Sequence, residues 1–140
     1  MDTITDTFVL VAPDCPVSSA VVPEAKQTNP SVPVIQYKLL TAKPYRLTLE
    51  DLIFETYTRR AGIPKAEVKQ RSAAIRAELF SKPHACMRAS AFPKRYGWGV
   101  HYDSKGRLAL YPVESAEYKQ FAAGNVKGVK VVAALRSKRD

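Results

Sequence analysis

Residues 81–111, SKPHACMRASAFPKRYGWGVHYDSKGRLALY, decide how the chain folds. Along residues 84–90, for example, polar or thiol side chains alternate with alanine and methionine. Such alternation is typical of a β-strand, in which successive side chains point to opposite faces of the sheet. Pro93 interrupts the alternation because proline cannot donate to a ladder. Gly106 suits the positive φ angle of a hairpin turn. The pattern therefore predicts three strands, His84–Ser90, Tyr96–Asp103 and Arg107–Val113.

Two glycines on one face of the second predicted strand, Gly97 and Gly99, indicate a close approach by a ligand, a ring or another backbone. Glycine inside a strand is otherwise unfavourable by roughly 0.5–1 kcal/mol relative to alanine. If the first two strands pair, Cys86 and Arg88 would lie on the same face as His101. We therefore predict a shallow hollow with a glycine floor, edged by a thiol, a guanidinium and an imidazole.

The cations around this predicted hollow suit an anionic ligand. Arginine grips a phosphate or carboxylate at two points, and lysine adds a point charge. Trp98 could stack on a base or a sugar, although aromatic residues at a period of two are also what a half-buried strand contains. The same cations could equally be ordinary surface charge. The predicted ligand-binding residues are Arg88, Lys94, Arg95, Gly97, Trp98, Gly99 and His101.

Catalysis by Cys86 and His101 is a second hypothesis. A thiol beside cations is activated as a nucleophile, and a histidine can act as its general base. A small buried thiol and a hydrogen-bonded structural histidine are the commoner uses of such residues. The sequence leaves open whether the protein is an enzyme. It has neither a Cys-x-x-Cys pair nor a four-ligand zinc pattern, so no metal and no cofactor is predicted.

The segment SKPHACMRASAFPKRYGWGVH, residues 81–101, resembles the SKxxxCxRxSxxxKRYGWGxH signature of a small bacterial family of uncharacterised proteins, a domain of unknown function. The resemblance extends to Asp14-Cys15-Pro16, to Lys43-Pro44-Tyr45 and to Arg136-Ser137-Lys138-Arg139, and so covers nearly the whole chain. Pro83-His84 stands where the family pattern has Gly-Gln, and residues 91–93 also depart from it. The family carries no assigned activity, so the resemblance implies membership without a mechanism.

The length and composition indicate a globular protein. At 140 residues, of which 46% are hydrophobic, the chain can bury a core, and we expect one domain over residues 1–140. No apolar run approaches the roughly 20 residues of a membrane helix. The N-terminus carries two aspartates and no basic segment before its short apolar run, which argues against a secretion signal. We therefore expect a cytoplasmic protein with no membrane partner.

The net charge of +9 favours anionic partners. A nucleic acid is one such partner, and two predicted helices joined by a short turn resemble a helix-turn-helix. The second of these helices, however, begins Pro64-Lys65-Ala66-Glu67, without the polar, base-reading face of a recognition helix. A solvated cationic surface accounts for the charge equally well. Nucleic-acid binding is therefore an alternative and not the favoured hypothesis.

Local signals predict the remaining elements. Thr48 is a candidate N-cap for a helix that Gly62 ends, Pro64 suits the first position of the next helix, and Ser115 is a candidate cap for a short late helix. The predicted elements outside residues 81–111 are a strand Thr7–Ala12, a proline-rich loop 13–33, a strand Val34–Leu40, the two helices of the hairpin ending near Phe80, the late helix ending at Ala123, a strand Val129–Leu135 and a basic tail 136–140.

These elements predict an α+β fold, in which a helical hairpin and one short late helix pack against a mostly antiparallel sheet of about five strands. The expected function is that of a binding module for a small anionic ligand, in a pocket around CMRAS, residues 86–90, and KRYGWGVH, residues 94–101. The alternatives are an enzyme with a Cys86 nucleophile and a His101 base, and a nucleic-acid-binding accessory protein.

Overall fold

The computed structural model describes residues 3–25 and 31–137. Within them, helices and strands follow in the order β1, α1, α2, α3, β2, β3, α4, β4. Their bounds are β1 Thr7–Leu10, α1 Val32–Ala42, α2 Leu49–Arg60, α3 Lys65–Leu79, β2 Trp98–Tyr102, β3 Leu108–Pro112, α4 Ala116–Ala122 and β4 Lys130–Ala133. Two short helical turns, Met87–Ala89 and Phe92–Tyr96, lie between α3 and β2.

The strands form one sheet in the order β3-β2-β1-β4. β2 lies antiparallel to both β1 and β3, whereas β4 runs parallel to β1. The predicted α+β class is therefore confirmed. In the part of the chain that the structure describes, the sheet is mixed and has four strands, so the expected number of about five is too high.

The sheet carries a hydrophobic cluster on each face. The larger cluster contains Val9 of β1, Tyr102 of β2 and Leu52 of α2, each no more than 1% exposed. On the other face, Phe8 is buried against α4, where its ring stacks on that of Phe121 with centroids 4.3 Å apart. Helices α1 and α2 thus cover one face of the sheet and α4 covers the other.

The helix caps and the hairpin follow from local chemistry, as predicted. The Thr48 hydroxyl accepts a hydrogen bond from the Asp51 N–H, and the Asp51 carboxylate accepts one from the Thr48 N–H, which closes a capping box at the start of α2. Ser115 accepts from the Tyr118 N–H and caps α4. Gly106 has a φ of +79° in the turn between β2 and β3.

The predicted strand Val34–Leu40 is wrong, because these residues belong to α1. A short run rich in Val, Ile and Leu fits a buried helix as well as a buried strand. Pro33 decides between them, since it stands in the first turn of α1, where its fixed φ angle favours a helix and its missing N–H costs nothing. The proline-rich loop is therefore shorter than predicted. Residues 26–30 of that loop and residues 138–140 of the predicted basic tail lie outside the described residues.

The predicted strand His84–Ser90 is also wrong. The backbone forms hydrogen bonds within the segment: the Ala89 N–H donates to the Cys86 oxygen, and the Ser90 N–H donates to the Met87 oxygen. Met87 is the buried anchor of this segment, and its N–H donates to the Tyr102 hydroxyl at 3.1 Å. Because the turn Phe92–Tyr96 precedes β2, that strand begins at Trp98 and not at the predicted Tyr96.

No helix within residues 3–25 and 31–137 has the length and apolar character needed to cross a membrane.

Replacing Gly99 with alanine tests the close packing of α4 on the sheet. A Cβ atom at Gly99 would lie 2.5 Å from Phe8 Cζ and 2.7 Å from Tyr118 Cε2, closer than such atoms approach. Because both rings are buried, we expect Gly99→Ala to destabilise the protein by about 1–3 kcal/mol, measured by urea unfolding. Propensity alone predicts the opposite sign, a gain of roughly 0.5–1 kcal/mol. A more stable variant would therefore contradict the packing.

Candidate functional site

The hollow predicted between Cys86 and His101 is not formed. His101 lies opposite Phe8 in the pairing of β1 with β2, and its ring centroid is 4.6 Å from that of Phe121 on the α4 face. Cys86 instead packs against the larger cluster, to which Tyr102 contributes from the opposite face. The sheet therefore separates the thiol from the imidazole, and the predicted nucleophile–base pair is wrong.

Residues of the protein itself cover the predicted glycine floor. Gly99 lies beneath the rings of Phe8 and Tyr118. Gly97 ends the turn before β2 with a φ of +77°, and the loop residues Val17, Ser19 and Ala20 lie against it. The glycines thus serve internal packing and a backbone turn. The two do not form a shared open floor.

Trp98 and Arg88 also make structural contacts. Trp98 is 8% exposed, and its indole N–H donates to the Val21 oxygen at 2.8 Å. Arg88 is exposed, and its Nε donates to the Ala133 oxygen at the end of β4. Lys94 is half-buried and Arg95 exposed in the turn before β2. A role in ligand binding for any of these residues stays a prediction.

A different group of cations surrounds a concave surface between α1 and α2. The cavity has a volume of about 300 Å³. Its walls come from the second half of α1, the loop 43–48 that joins α1 to α2, and one face of α2. We call it the cationic pocket; the described residues that line it are Lys38, Leu39, Ala42, Lys43, Arg46, Leu47, Glu55 and Arg59.

The cationic pocket has a positive charge that its own carboxylate does not cancel. Among the described lining residues, four cations face one carboxylate, for a net charge of +3. That carboxylate, Glu55, lies 3.7 Å from Arg59, and the two side chains are 40% and 52% exposed. Exposed pairs of this kind contribute about 0–1 kcal/mol, so an incoming anion can compete for the guanidinium. The arrangement can bind an anion.

The loop 43–48 is fixed to the sheet at Tyr45. This residue has a φ of +60°, a left-handed conformation that costs a bulky L-residue roughly 1–2 kcal/mol. The Tyr45 N–H donates to the Leu108 oxygen at 2.9 Å, and the Leu108 N–H donates to the Leu47 oxygen at 2.8 Å. The loop therefore continues the hydrogen bonding of the sheet beyond β3.

The Tyr45 side chain reaches the α4 face and joins two polar groups there. Its hydroxyl lies 2.9 Å from His101 Nδ1 and 2.5 Å from the Tyr111 hydroxyl. We call these three residues the tyrosine clamp. Burial, and then the hydrogen bond with Tyr111, raises the pKa of Tyr45 well above its ordinary value, so its hydroxyl keeps its proton at neutral pH.

The His101 imidazole is held in its neutral form. Burial lowers the pKa of His101 below 6.5, against the attraction of Asp103 and Asp6, which acts in the opposite direction. A neutral imidazole can accept a hydrogen bond from the Tyr45 hydroxyl at Nδ1 or donate one to the Tyr45 oxygen, depending on the tautomer. The clamp therefore has no buried charge at pH 7.

The sequence pattern does not predict the cationic pocket, because Lys38 falls in the predicted strand Val34–Leu40. On a helix, Lys38 and Ala42 lie one turn apart on the same face, which extends into the loop that carries Lys43 and Arg46. The loop sequence Lys43-Pro44-Tyr45-Arg46, in which a cation stands on each side of a Pro-Tyr pair, is a signal from which part of the pocket could be predicted. The meeting of Arg59 with these residues depends on how α1 packs on α2.

Within residues 3–25 and 31–137, no group of three or more His, Cys, Asp and Glu side chains is placed so that it could hold a metal ion.

The lowered pKa of His101 makes a testable contribution to stability. The unfolded chain binds a proton at a higher pH than the folded chain does, so the free energy of unfolding should rise with pH through the window between the folded pKa and about 6.5. We expect urea unfolding between about pH 5 and pH 8 to show this rise in the wild type and a flatter profile in His101→Gln. The variant His84→Gln is the control, since it keeps His101 and the slope that depends on it. Equal slopes in the wild type and His101→Gln would contradict the burial of a neutral imidazole.

Comparison with known proteins gives one match. The family model described as a family of unknown function, DUF6157, matches residues 2–140. Neither the curated proteins nor the solved structures contain a match to the chain. The predicted membership of a family of unknown function is thus confirmed, because the matched region leaves out only the first residue. The chain belongs to the DUF6157 family.

Proposed function

We propose that the protein binds a small anion with phosphate or carboxylate groups in the cationic pocket. One observation carries this proposal. Four cationic side chains from α1, α2 and the loop between them surround one concave surface, and Glu55 is the one carboxylate among its described lining residues. The class of ligand is the one that the sequence predicts, but the location differs from residues 86–101.

The charges support an anionic ligand on physical grounds. Cations that converge on one hollow repel one another, and a bound anion relieves that repulsion. Arg46 and Arg59 can each grip a phosphate or carboxylate at two points, and Lys38 adds a point charge. Lys43 stands at the C-cap of α1, where the negative end of the helix dipole also stabilises it, so part of its charge serves the helix. The two arginines are therefore the residues on which binding should depend most.

The size and shape of the pocket favour a small ligand over a nucleic acid. A volume of about 300 Å³ is at the lower end of ordinary ligand pockets. Leu39 and Leu47 offer apolar surface for the uncharged part of such a molecule. A nucleic-acid strand needs cations in a row along its backbone, whereas these four cations line a single cavity.

Inorganic pyrophosphate is a suitable probe. At constant ionic strength, we expect it to raise the melting temperature of the wild type more than chloride does. Arg46→Gln and Arg59→Gln should each weaken binding about tenfold or more, because a hydrogen bond to a charged group contributes about 1.5–3 kcal/mol. The affinities can be measured by isothermal titration calorimetry.

Arg95→Gln is the matched control. It makes the same chemical change at an exposed arginine of the pocket predicted from sequence, so it should leave pyrophosphate affinity unchanged. A loss of affinity in Arg95→Gln and not in Arg46→Gln would move the site to residues 86–101. Tighter binding of a single-stranded oligonucleotide, with affinity that falls steeply as salt rises, would favour the nucleic-acid alternative.

A further inference from the structure

We infer that Tyr45 is the positioning residue of the cationic pocket, and that its hydroxyl fixes the two loop cations, Lys43 and Arg46, in the arrangement that binds an anion. This inference rests on the proposed function. It assigns to the tyrosine clamp a role in affinity that goes beyond holding the fold together.

The first support for the inference is the position of Tyr45 in the loop. Lys43 and Arg46 line the pocket with residues of α1 and α2, while the side chain of Tyr45 between them contacts His101 and Tyr111. His101 lies on the α4 face of the sheet, opposite to the face that α1 and α2 cover. The chain therefore turns at Tyr45 so that one side chain reaches around the edge of β3 while its neighbours stay with the helices.

The second support is the backbone conformation that makes this turn. Tyr45 has a φ of +60°, which glycine or asparagine adopts more readily than a bulky residue. Such a conformation persists only where the surrounding contacts determine it, and these conformations are often found at ligand-binding sites. Here the contacts are the backbone hydrogen bond to Leu108 and the two contacts of the hydroxyl.

The third support is that both partners of the hydroxyl are themselves held in place. Tyr111 lies on β3 and His101 on β2, and the ladder between these strands pairs Tyr111 with Gly99 and His101 with Ala109. Their rings also contact Phe121 of α4, with centroid distances of 5.5 Å and 4.6 Å. The hydroxyl is thus anchored to two hydrogen-bonded strands that α4 covers, and this anchor limits the movement of the loop that carries the cations. Fixed cations lose less conformational freedom when an anion binds.

Removal of the Tyr45 hydroxyl tests the inference. Tyr45→Phe keeps the ring and all of the pocket cations, so a loss of affinity would come from their positions alone. We expect its pyrophosphate affinity to fall about fivefold or more, a reduction in the range of typical couplings between sites. Hydrogen exchange of the amides at residues 43–48 and at Leu108 should become faster in the same variant.

Two further variants separate positioning from general stability. Tyr57→Phe removes a hydroxyl from an exposed tyrosine of α2 outside the cationic pocket, and it should leave affinity unchanged. Tyr111→Phe removes one partner and keeps the contact with His101, so its affinity should lie between those of the wild type and Tyr45→Phe. Circular dichroism and the melting temperature without ligand establish that each variant is folded.

The outcomes distinguish this inference from the proposed function. Wild-type affinity in a folded Tyr45→Phe would overturn the positioning role and leave the proposed function intact. If wild-type protein does not bind pyrophosphate while exchange in the loop still responds to Tyr45→Phe, the proposed function fails, and the clamp is a structural feature only. If Tyr45→Phe does not fold, affinity measured in Tyr111→Phe decides, and an unchanged value would overturn the inference.

Discussion

Strand β2 imposes the constraint on which the rest of the structure depends, because it is hydrogen-bonded to a strand on each side. Its register fixes which residues face each core. Val100 and Tyr102 are at most 1% exposed in the larger cluster, while Gly99, which precedes Val100 and faces the other side of the sheet, makes room for Phe8 and Tyr118. A slip by one residue would place the glycine in the larger core and the valine under α4, where there is no space for it. Both faces therefore specify the same register.

The same alternation explains why the chemically richest part of the sequence serves the fold. The side chains of Tyr102 and His101 leave the sheet on opposite faces, so the segment that packs on Tyr102 cannot reach His101. The Arg88 backbone oxygen and side chain both bond to the chain near the end of β4. The segment around Cys86 thus links the centre of the sheet to its far edge. The Arg88 guanidinium serves that link, and the Cys86 thiol packs on the face of the sheet opposite to His101.

The features that the sequence predicts correctly are those that depend on contacts within a few residues of the chain. Thr48, Ser115 and Gly106 act on backbone groups within a few residues, and their local chemistry determines caps and turns in any fold. The strands predicted at Val34–Leu40 and His84–Ser90 are wrong because each pattern fits two kinds of structure. Pro33 favours the helix in the first segment, and the packing of Met87 against Tyr102 decides the second. The hollow predicted between Cys86 and His101 is not formed for a related reason. Its residues were grouped by closeness in sequence, whereas Arg59 joins Lys38 only after α1 has packed on α2.

The edge of the sheet at β3 explains why a strained tyrosine stands in the loop before α2. An edge strand offers unpaired N–H and C=O groups to other chains. At this edge, the Leu108 N–H and oxygen are bonded by the loop, and Pro112 has no N–H to offer. The two backbone bonds, each contributing about 0.5–1.5 kcal/mol, are comparable with the cost of the positive φ angle at Tyr45.

Glycine would protect the edge with less backbone strain, so protection of the edge does not by itself account for the tyrosine. Glycine has no hydroxyl to place beside His101 and Tyr111, and it would leave the loop held by backbone bonds alone. The identity of residue 45 therefore indicates that the contacts of its side chain outweigh the strain. The same turn places Lys43 and Arg46 in the lining of the cationic pocket. One conformation of the loop therefore both covers the edge of the sheet and arranges the cations.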